Sequence, residues 1–144
     1  MKLYNFIFLF CLLNIGCATK SHGPVKFSIE TPCPDSPNCV SSLYKDQDSF
    51  IEPLGFKESP KIAWQKLVDT LKNTKGVQII DSSDSKIHAT FTSTIFRFVD
   101  DVYFRLDGEN KIIDLRSSSR VGYYDFGANR KRIENLRKQF SSMA

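Results

Sequence analysis

Hydrophobic residues recur with two different periods along the chain, and the change of period predicts the order of its elements. Over residues 60–73 the spacing is that of a helix, with Ser59 as a capping residue and Pro60 in the first turn. The apolar stripe of this helix consists of Ala63, Trp64, Leu67, Val68 and Leu71. Because Trp64 belongs to the stripe, we expect its indole in the core and not in a ligand platform.

From Val77 onward the apolar residues recur at every second position, which is typical of strands with one buried face. A short strand at 77–80 precedes a strand whose apolar side is formed by Ile87, Ala89, Phe91 and Ser93. The next strand continues the pattern with Phe96, Phe98, Val102, Phe104 and Leu106. We expect the pair Asp100–Asp101 to mark a bend or bulge inside this strand.

Two further elements complete the predicted fold. Residues 107–110 form a hairpin turn into a strand at 112–115, and a last helix over 126–140 turns its apolar side inward. Before the first helix the chain is irregular, and four of its residues are expected to pack onto the domain: Phe50, Ile51, Leu54 and Phe56. The sequence therefore predicts one small domain of the α+β class, an antiparallel sheet packed against two main helices.

The N-terminus has the layout of a secretory signal that ends at a lipid-attachment cysteine. Lys2 precedes an apolar run over 6–13, and Gly16 stands immediately before Cys17. We therefore predict a signal peptide at 1–16, a lipidated Cys17 with a tether at 17–31, and a domain at 32–144. Asn14 occupies a position where the usual motif has Leu, so a cleaved signal without lipid and a retained membrane anchor stay open as alternatives.

The cysteine count supports the lipid and a disulfide. Of four cysteines, Cys11 leaves with the signal and Cys17 carries the lipid, so that Cys33 and Cys39 remain as a pair. An oxidising compartment favours a disulfide between them over a redox-active pair or a zinc site. Ala18 is not an Asp retention signal, which favours the periplasmic face of the outer membrane over the inner membrane.

The densest chemistry lies between the hairpin and the last helix, where residues 116–132 read RSSSRVGYYDFGANRKR. This string, together with CPDSPNCVSS at 33–42, resembles the signature of the domain-of-unknown-function 1499 family. The resemblance covers about residues 30–140, and Tyr124 stands where it leads us to expect a small residue such as Ser. It implies a small exported or membrane-associated protein and brings no established activity or catalytic residue.

The motif also invites a physical interpretation. Residues 116–138 hold seven basic and two acidic side chains, and arginines, serine hydroxyls and a helix start suit a carboxylate or phosphate. The candidate ligand-binding residues are Arg116, Ser117, Ser119, Arg120, Asp125, Asn129 and Arg130. In the alternative interpretation these residues support the fold: Asn129 ties down the preceding loop, Arg120 pairs with Asp125, and Arg130 pairs with Glu134.

Binding is better supported than catalysis. The chain shows no catalytic triad order, nucleophile elbow or metal-ligand spacing, and no cofactor or metal is predicted. The one conceivable acid–base pair is His88 with Asp100 or Asp101.

The leading hypothesis is a cell-envelope lipoprotein, held to the membrane at Cys17, that binds an anionic small molecule, lipid headgroup, envelope polymer or protein partner through residues 116–130. Nucleic acid is not expected at this location. Four basic residues of the last helix are expected on a solvated face that could also meet a headgroup or sugar polymer: Lys131, Arg132, Arg137 and Lys138. The alternative is a hydrolase acting on envelope material, which requires Ser117, Ser119, Arg120 and Asp125 to converge in a deep cleft.

Overall fold

The computed structural model of the protein describes residues 28–143, so the predicted signal peptide, Cys17 and most of the predicted tether lie outside the described residues. The strands are β1 (Cys39–Ser41), β2 (Leu54–Gly55), β3 (Val77–Ser82), β4 (Lys86–Thr92), β5 (Val99–Asp107) and β6 (Ile112–Ser119). The helices are α1 (Pro60–Asn73) and α2 (Ala128–Ser142).

The strands form one antiparallel sheet in the order β1-β6-β5-β4-β3, and β2 also pairs with β6. Both helices pack on one face of this sheet, α1 against β3 and β5, and α2 against β6 and β1. The predicted α+β class, an antiparallel sheet against two helices in one small domain, is confirmed.

The hydrophobic core lies between the sheet and the two helices. The predicted stripe of α1 faces it, and the Trp64 side chain is 8% exposed, with its Nε1 donating to the Ser83 carbonyl at 3.0 Å. The expected core position of Trp64 is therefore confirmed. At the start of α1, Ser59 Oγ accepts from the backbone N–H of Ile62 at 3.3 Å, which satisfies an amide that the helix itself leaves unpaired.

The course of β5 corrects one expectation. Asp100 and Asp101 do not bend the strand, since both lie in unbroken pairing with β4 and β6. They are buried there because Arg132 binds Asp100 and Arg120 binds Asp101, which compensates the cost of burying a carboxylate. The register shift of the sheet occurs in β3 instead.

Several element boundaries also differ from the prediction, and β6 continues to Ser119 where the prediction ended the strand at residue 115. Phe96 and Phe98 belong to the exposed connection between β4 and β5, and not to a strand. The last helix begins at Ala128 and not at Phe126, because Phe126 and Gly127 have φ angles of 55° and 74°. A left-handed backbone cannot continue a right-handed helix.

The face of the sheet that lies away from the helices is polar. Residues that pair across strands share a face, and one such row consists of Ser41, Arg116, Tyr103 and His88. The next row consists of Ser118, Asp101 and Thr90. We call this surface the polar face. Residues 28–31 lie against it: Glu30 forms a salt bridge with Arg105 at 3.5 Å, and Ile29 is buried.

Candidate functional site

The candidate ligand-binding residues fall into separate networks, because β6 directs alternate side chains to opposite faces of the sheet. Ser117 and Ser119 point toward the helices, where both meet Asn129. Arg116 points to the polar face, and Arg120, which directly follows β6, binds there as well. The candidates therefore do not share one face of the sheet.

Asn129, in the first turn of α2, is the centre of the network on the helix side and is fully buried. Its Nδ2 donates to the Asn38 carbonyl at 3.0 Å, to Ser119 Oγ at 3.0 Å and to Asp125 Oδ2 at 2.8 Å. Its Oδ1 accepts from Ser117 Oγ. Both ends of the Asn129 amide are thus used inside the protein, which confirms that this residue ties the preceding loop down.

Asp125 closes the loop before α2. Its carboxylate accepts from the backbone N–H groups of Gly127 at 2.8 Å and Asn129 at 2.9 Å. The Asn129 amide belongs to the first turn of α2 and the Gly127 amide to its N-cap residue, so Asp125 satisfies amides that the helix itself leaves unpaired.

Asp101 is the centre of the network on the polar face. Arg120 binds its carboxylate through Nε to Oδ2 at 2.7 Å and Nη2 to Oδ1 at 2.9 Å. His88 Nε2 lies 2.7 Å from Asp101 Oδ1, and the Tyr103 ring stacks on the imidazole with centroids 4.4 Å apart. The expected Arg120–Asp125 pair is therefore wrong, because Asp125 is turned to the amides of α2.

The electrostatics of Asp101 follow from these contacts. Burial raises the pKa of the Asp101 carboxyl, but the hydrogen bonds and charges of Arg120 and His88 outweigh burial and hold the pKa below its usual value. Because both partners favour the ionised form of the Asp101 carboxylate, these contacts stabilise the fold. His88 and Asp101 do form the one histidine–carboxylate contact that the sequence suggested.

Arg116 and Arg130 each donate to the backbone of a distant segment. Arg116 is 1% exposed, and its Nε donates to the Thr31 carbonyl at 2.8 Å. Its Nη1 donates to Ser118 Oγ at 2.7 Å, and burial lowers the pKa of the guanidinium. Arg130 Nη2 donates to the Phe50 carbonyl at 2.8 Å.

The expected Arg130–Glu134 pair is therefore also wrong. Glu134 instead accepts from Arg137 Nε at 3.1 Å, and the rest of that guanidinium donates to the carbonyls of Glu52 and Pro53 at 2.6 Å each. These two arginines hold the irregular segment before α1 against α2.

A family model described as a protein of unknown function (DUF1499) matches residues 31–140, which include both sequence motifs and both networks. The chain belongs to this family. No curated protein is similar enough to the chain to count as a match.

The convergence that a hydrolase would need at the motif is not formed in this DUF1499 domain. Ser117 is fully buried and bound to Asn129, whereas Arg120 lies on the opposite face of the sheet. Within residues 28–143, no group of three or more His, Cys, Asp or Glu side chains is placed to hold a metal ion. None of the helices in this part of the chain is long and apolar enough to cross a bilayer.

One groove of the DUF1499 domain lies beside the cysteine loop and is acidic. The Sγ atoms of Cys33 and Cys39 are 2.06 Å apart, as the predicted disulfide requires. The groove has a volume of about 570 Å³, and Arg130 lines it together with four carboxylates: Asp35, Asp46, Asp48 and Asp125. This charge balance makes it unsuited to an anion.

A second groove has the opposite charge. It has a volume of about 580 Å³ and runs between the end of α1, the end of β4 and the side of α2 over residues 128–139. Its polar side chains include Lys75, Lys131, Arg132 and the hydroxyl residues 92–94, and no acidic residue is among the described residues that line it. We call it the basic groove.

The cations of the basic groove differ in how they are held. Arg132 is ion-paired with Asp100, its Nη1 donates to Asn129 Oδ1 at 2.8 Å, and its guanidinium lies 5.3 Å from the centroid of the Phe91 ring. Within residues 28–143, Lys75 and Lys131 form no ion pair. The positive charge that is not compensated therefore comes from the two lysines.

Sequence reasoning did not find this groove. It placed Lys131 and Arg132 together on a solvated helix face, but the Arg132 side chain is only 15% exposed. Lys75 and residues 92–94 carry no motif, and they reach the groove only because β4 ends beside α1 and α2. The one sequence signal for the groove was Asp100. A carboxylate in an apolar strand is expected to need a cationic partner when it is buried, and here that partner is Arg132.

Proposed function

We propose that the protein is a non-enzymatic, lipid-anchored domain of the cell envelope that binds an anionic envelope component in the basic groove. The observation that carries this proposal is a groove in which Lys75 and Lys131 are uncompensated and hydroxyl groups lie beside them. Ammonium groups and hydroxyls are the donors that phosphate and carboxylate groups accept from. Ala128 lines the groove, so the proposed site adjoins the region over 116–130 that the sequence singled out.

The arginines of the motif itself are less suited to a ligand. The guanidinium groups of Arg116, Arg120 and Arg130 all donate to acceptors of the protein. A ligand at these positions would have to displace hydrogen bonds that hold the fold, and breaking those bonds would offset the free energy gained from binding. A ligand that binds Lys75 and Lys131 would not have to break an ion pair between these lysines and the described part of the protein.

The anion is best tested with inorganic phosphate as the probe and the full-length chain as the receptor. We expect the double variant Lys75→Glu/Lys131→Glu to bind phosphate at least about tenfold more weakly than the wild type, because attraction becomes repulsion at both positions. The matched control is Lys61→Glu/Lys138→Glu, which changes the net charge equally at exposed lysines outside the groove. If both double variants lost phosphate binding equally, the net charge of the protein would explain the loss. That result would contradict a phosphate site in the groove.

The membrane anchor is a separate part of the proposal and has its own test. Cells that express the wild type and cells that express Cys17→Ser are supplied with a radioactive fatty acid. We expect incorporation into the wild-type protein only, and fractionation of the envelope should place that protein in the outer membrane. Equal labelling of the two proteins would overturn the anchor, irrespective of phosphate binding.

A further inference from the structure

Exposed hydrophobic side chains concentrate at one end of the sheet. Among the described residues, seven of the nine large hydrophobic side chains that are exposed lie in the β4–β5 and β6–α2 connections. These seven residues, which we call the aromatic tip, are Ile95, Phe96, Phe98, Val121, Tyr123, Tyr124 and Phe126. Their exposed fraction ranges from 54% at Phe98 to 89% at Phe126.

The two connections are neighbours in space. Thr92 pairs with Val99, so the β4–β5 connection caps the end of the sheet at which β6 also finishes. The backbone N–H of Arg120 donates to the Val99 carbonyl at 3.3 Å, which joins the start of the second connection to the end of the first. The exposed side chains of both connections therefore lie at the same end of the sheet.

The rings of the aromatic tip pack on each other within each connection. Phe96 and Phe98 stack with centroids 5.7 Å apart, and Tyr124 meets Phe126 edge to face at 5.0 Å. Contiguous exposed apolar surface of this kind marks a site of interaction with a protein or a membrane.

We propose that the aromatic tip inserts into the headgroup region of an anionic bilayer and docks the domain on the membrane that carries it. The charge beside the β4–β5 connection favours lipid, because Arg97 belongs to this connection and the basic groove begins at residues 92–94. On the other side of the tip, Asp125 and Gly127 line the acidic groove, but Asp125 is the one carboxylate within the two connections and is engaged by backbone amides. Aromatic rings flanked by cations are the composition found at membrane interfaces.

The reach of the chain before the domain is compatible with this orientation. Thr31 contacts Arg116, which pairs with Tyr103, and the four residues from Tyr103 back to Val99, where β5 starts at the tip, span about 14 Å. Residues 17–27 can span at most about 36–40 Å when extended. A lipid at Cys17 therefore leaves enough chain for the tip to face the bilayer. The choice of a bilayer as the partner rests on the proposed function.

Insertion can be tested with a tryptophan reporter in the full-length chain. The reporter is Phe126→Trp, the probe is vesicles of phosphatidylethanolamine and phosphatidylglycerol whose acyl chains carry bromine, and Trp64 is a buried internal reference. We expect the added emission to shift to the blue and to lose most of its intensity through bromine quenching. The matched control is Ile62→Trp, at an exposed apolar position of α1 outside the tip, and its emission should be quenched no more than that of the wild type.

The outcomes separate this inference from the proposed function. Equal quenching of Phe126→Trp and Ile62→Trp overturns insertion even if phosphate binding still depends on Lys75 and Lys131. A blue shift that depends on protein concentration and needs no vesicles also overturns it, because a second copy then covers the tip. Quenching specific to Phe126→Trp supports insertion even where Lys75→Glu/Lys131→Glu leaves phosphate binding unchanged, in which case only the basic groove is refuted.

Discussion

The polar residues of the motif over 116–132 and the aromatic tip, four of whose residues lie within that motif, use their side chains in opposite ways. In the motif, Asn129, Arg116 and Ser117 are buried and bind other parts of the protein. In the tip, large apolar side chains such as Tyr123 and Phe126 face outward. The residues that look most like a binding site from their chemistry thus hold the fold together, whereas the exposed loop between them remains accessible to a partner.

The comparison predicts different consequences for substitutions in the two regions. When one member of a buried polar network is removed, its former partners stay buried without hydrogen bonds. An exposed apolar residue packs little against the rest of the fold, so its removal changes the surface and not the stability. Stability and binding should therefore respond to separate sets of substitutions.

The largest effect is expected for Asn129→Ala. This change removes the buried partner of the Ser117 and Ser119 hydroxyls and one of the two donors to the Asn38 carbonyl, so we expect the free energy of unfolding to fall by about 3 kcal/mol. Urea unfolding followed by circular dichroism measures it. Asn135→Ala, at an exposed position of the same helix, is the control and should change stability by less than about 0.5 kcal/mol. Alanine has the higher helix propensity, so similar losses of stability in both variants would show that the buried network is not the cause.

A smaller effect with a characteristic pH dependence is expected for Asp101→Asn. Loss of the charged hydrogen bonds to Arg120 and His88 should cost about 2 kcal/mol at neutral pH. The pKa of Asp101 is lower in the folded than in the unfolded chain, so the folded state binds fewer protons there. Its contribution is present above the unfolded pKa and is lost as the pH falls through the folded pKa.

The difference in stability between wild type and Asp101→Asn should therefore shrink below about pH 4, where an ordinary aspartate begins to take up its proton. Urea unfolding at a series of pH values checks this. Asp46→Asn, at an exposed carboxylate, serves as the control. A difference for Asp101→Asn that stays constant from neutral to acid pH would show that the charge of the carboxylate does not matter.

Arg130→Ala is expected to have an intermediate effect. The guanidinium is exposed but donates to the Phe50 and Asp48 carbonyls at 2.8 and 3.1 Å, so its removal should cost about 1 kcal/mol. Thermal unfolding measures the loss, and Lys138→Ala on the same helix is the control. Phosphate binding should be unchanged in Arg130→Ala. If Arg130→Ala lost most of its phosphate binding at unchanged stability, the phosphate site would include Arg130 of the motif, and the proposed site in the basic groove would be contradicted.

Much of the fold could be predicted because its signals are local. The period of α1 and its Ser59 cap, the alternation in β4 and the hairpin between β5 and β6 all depend on residues a few positions apart. The start of α2 could not be predicted in this way. Nothing in a Phe side chain indicates the left-handed backbone of Phe126, which delays the helix.

The candidate site was harder to interpret because its decisive contacts are distant in sequence. Asp100 and Asp101 look like strand breakers until their partners Arg132 and Arg120 are known, 32 and 19 residues away. Arg116 and Arg130 both donate to backbone carbonyls in irregular segments, and such acceptors have no sequence signature. Composition alone therefore could not decide between a ligand site and support of the fold.

The smallest effect on stability, and the sharpest contrast between the regions, is expected for Tyr123→Ser in the aromatic tip. Tyr123 is 71% exposed, so we expect a change of less than about 0.5 kcal/mol in the free energy of unfolding. When combined with the reporter Phe126→Trp, the same substitution should reduce quenching by brominated lipid, because one ring fewer enters the headgroup region. The control is Ile80→Ser on β3, which removes a half-exposed apolar side chain outside the tip. If Tyr123→Ser destabilised the protein as strongly as Arg130→Ala, the tip would belong to the folded core, and the distinction between the two regions would fail.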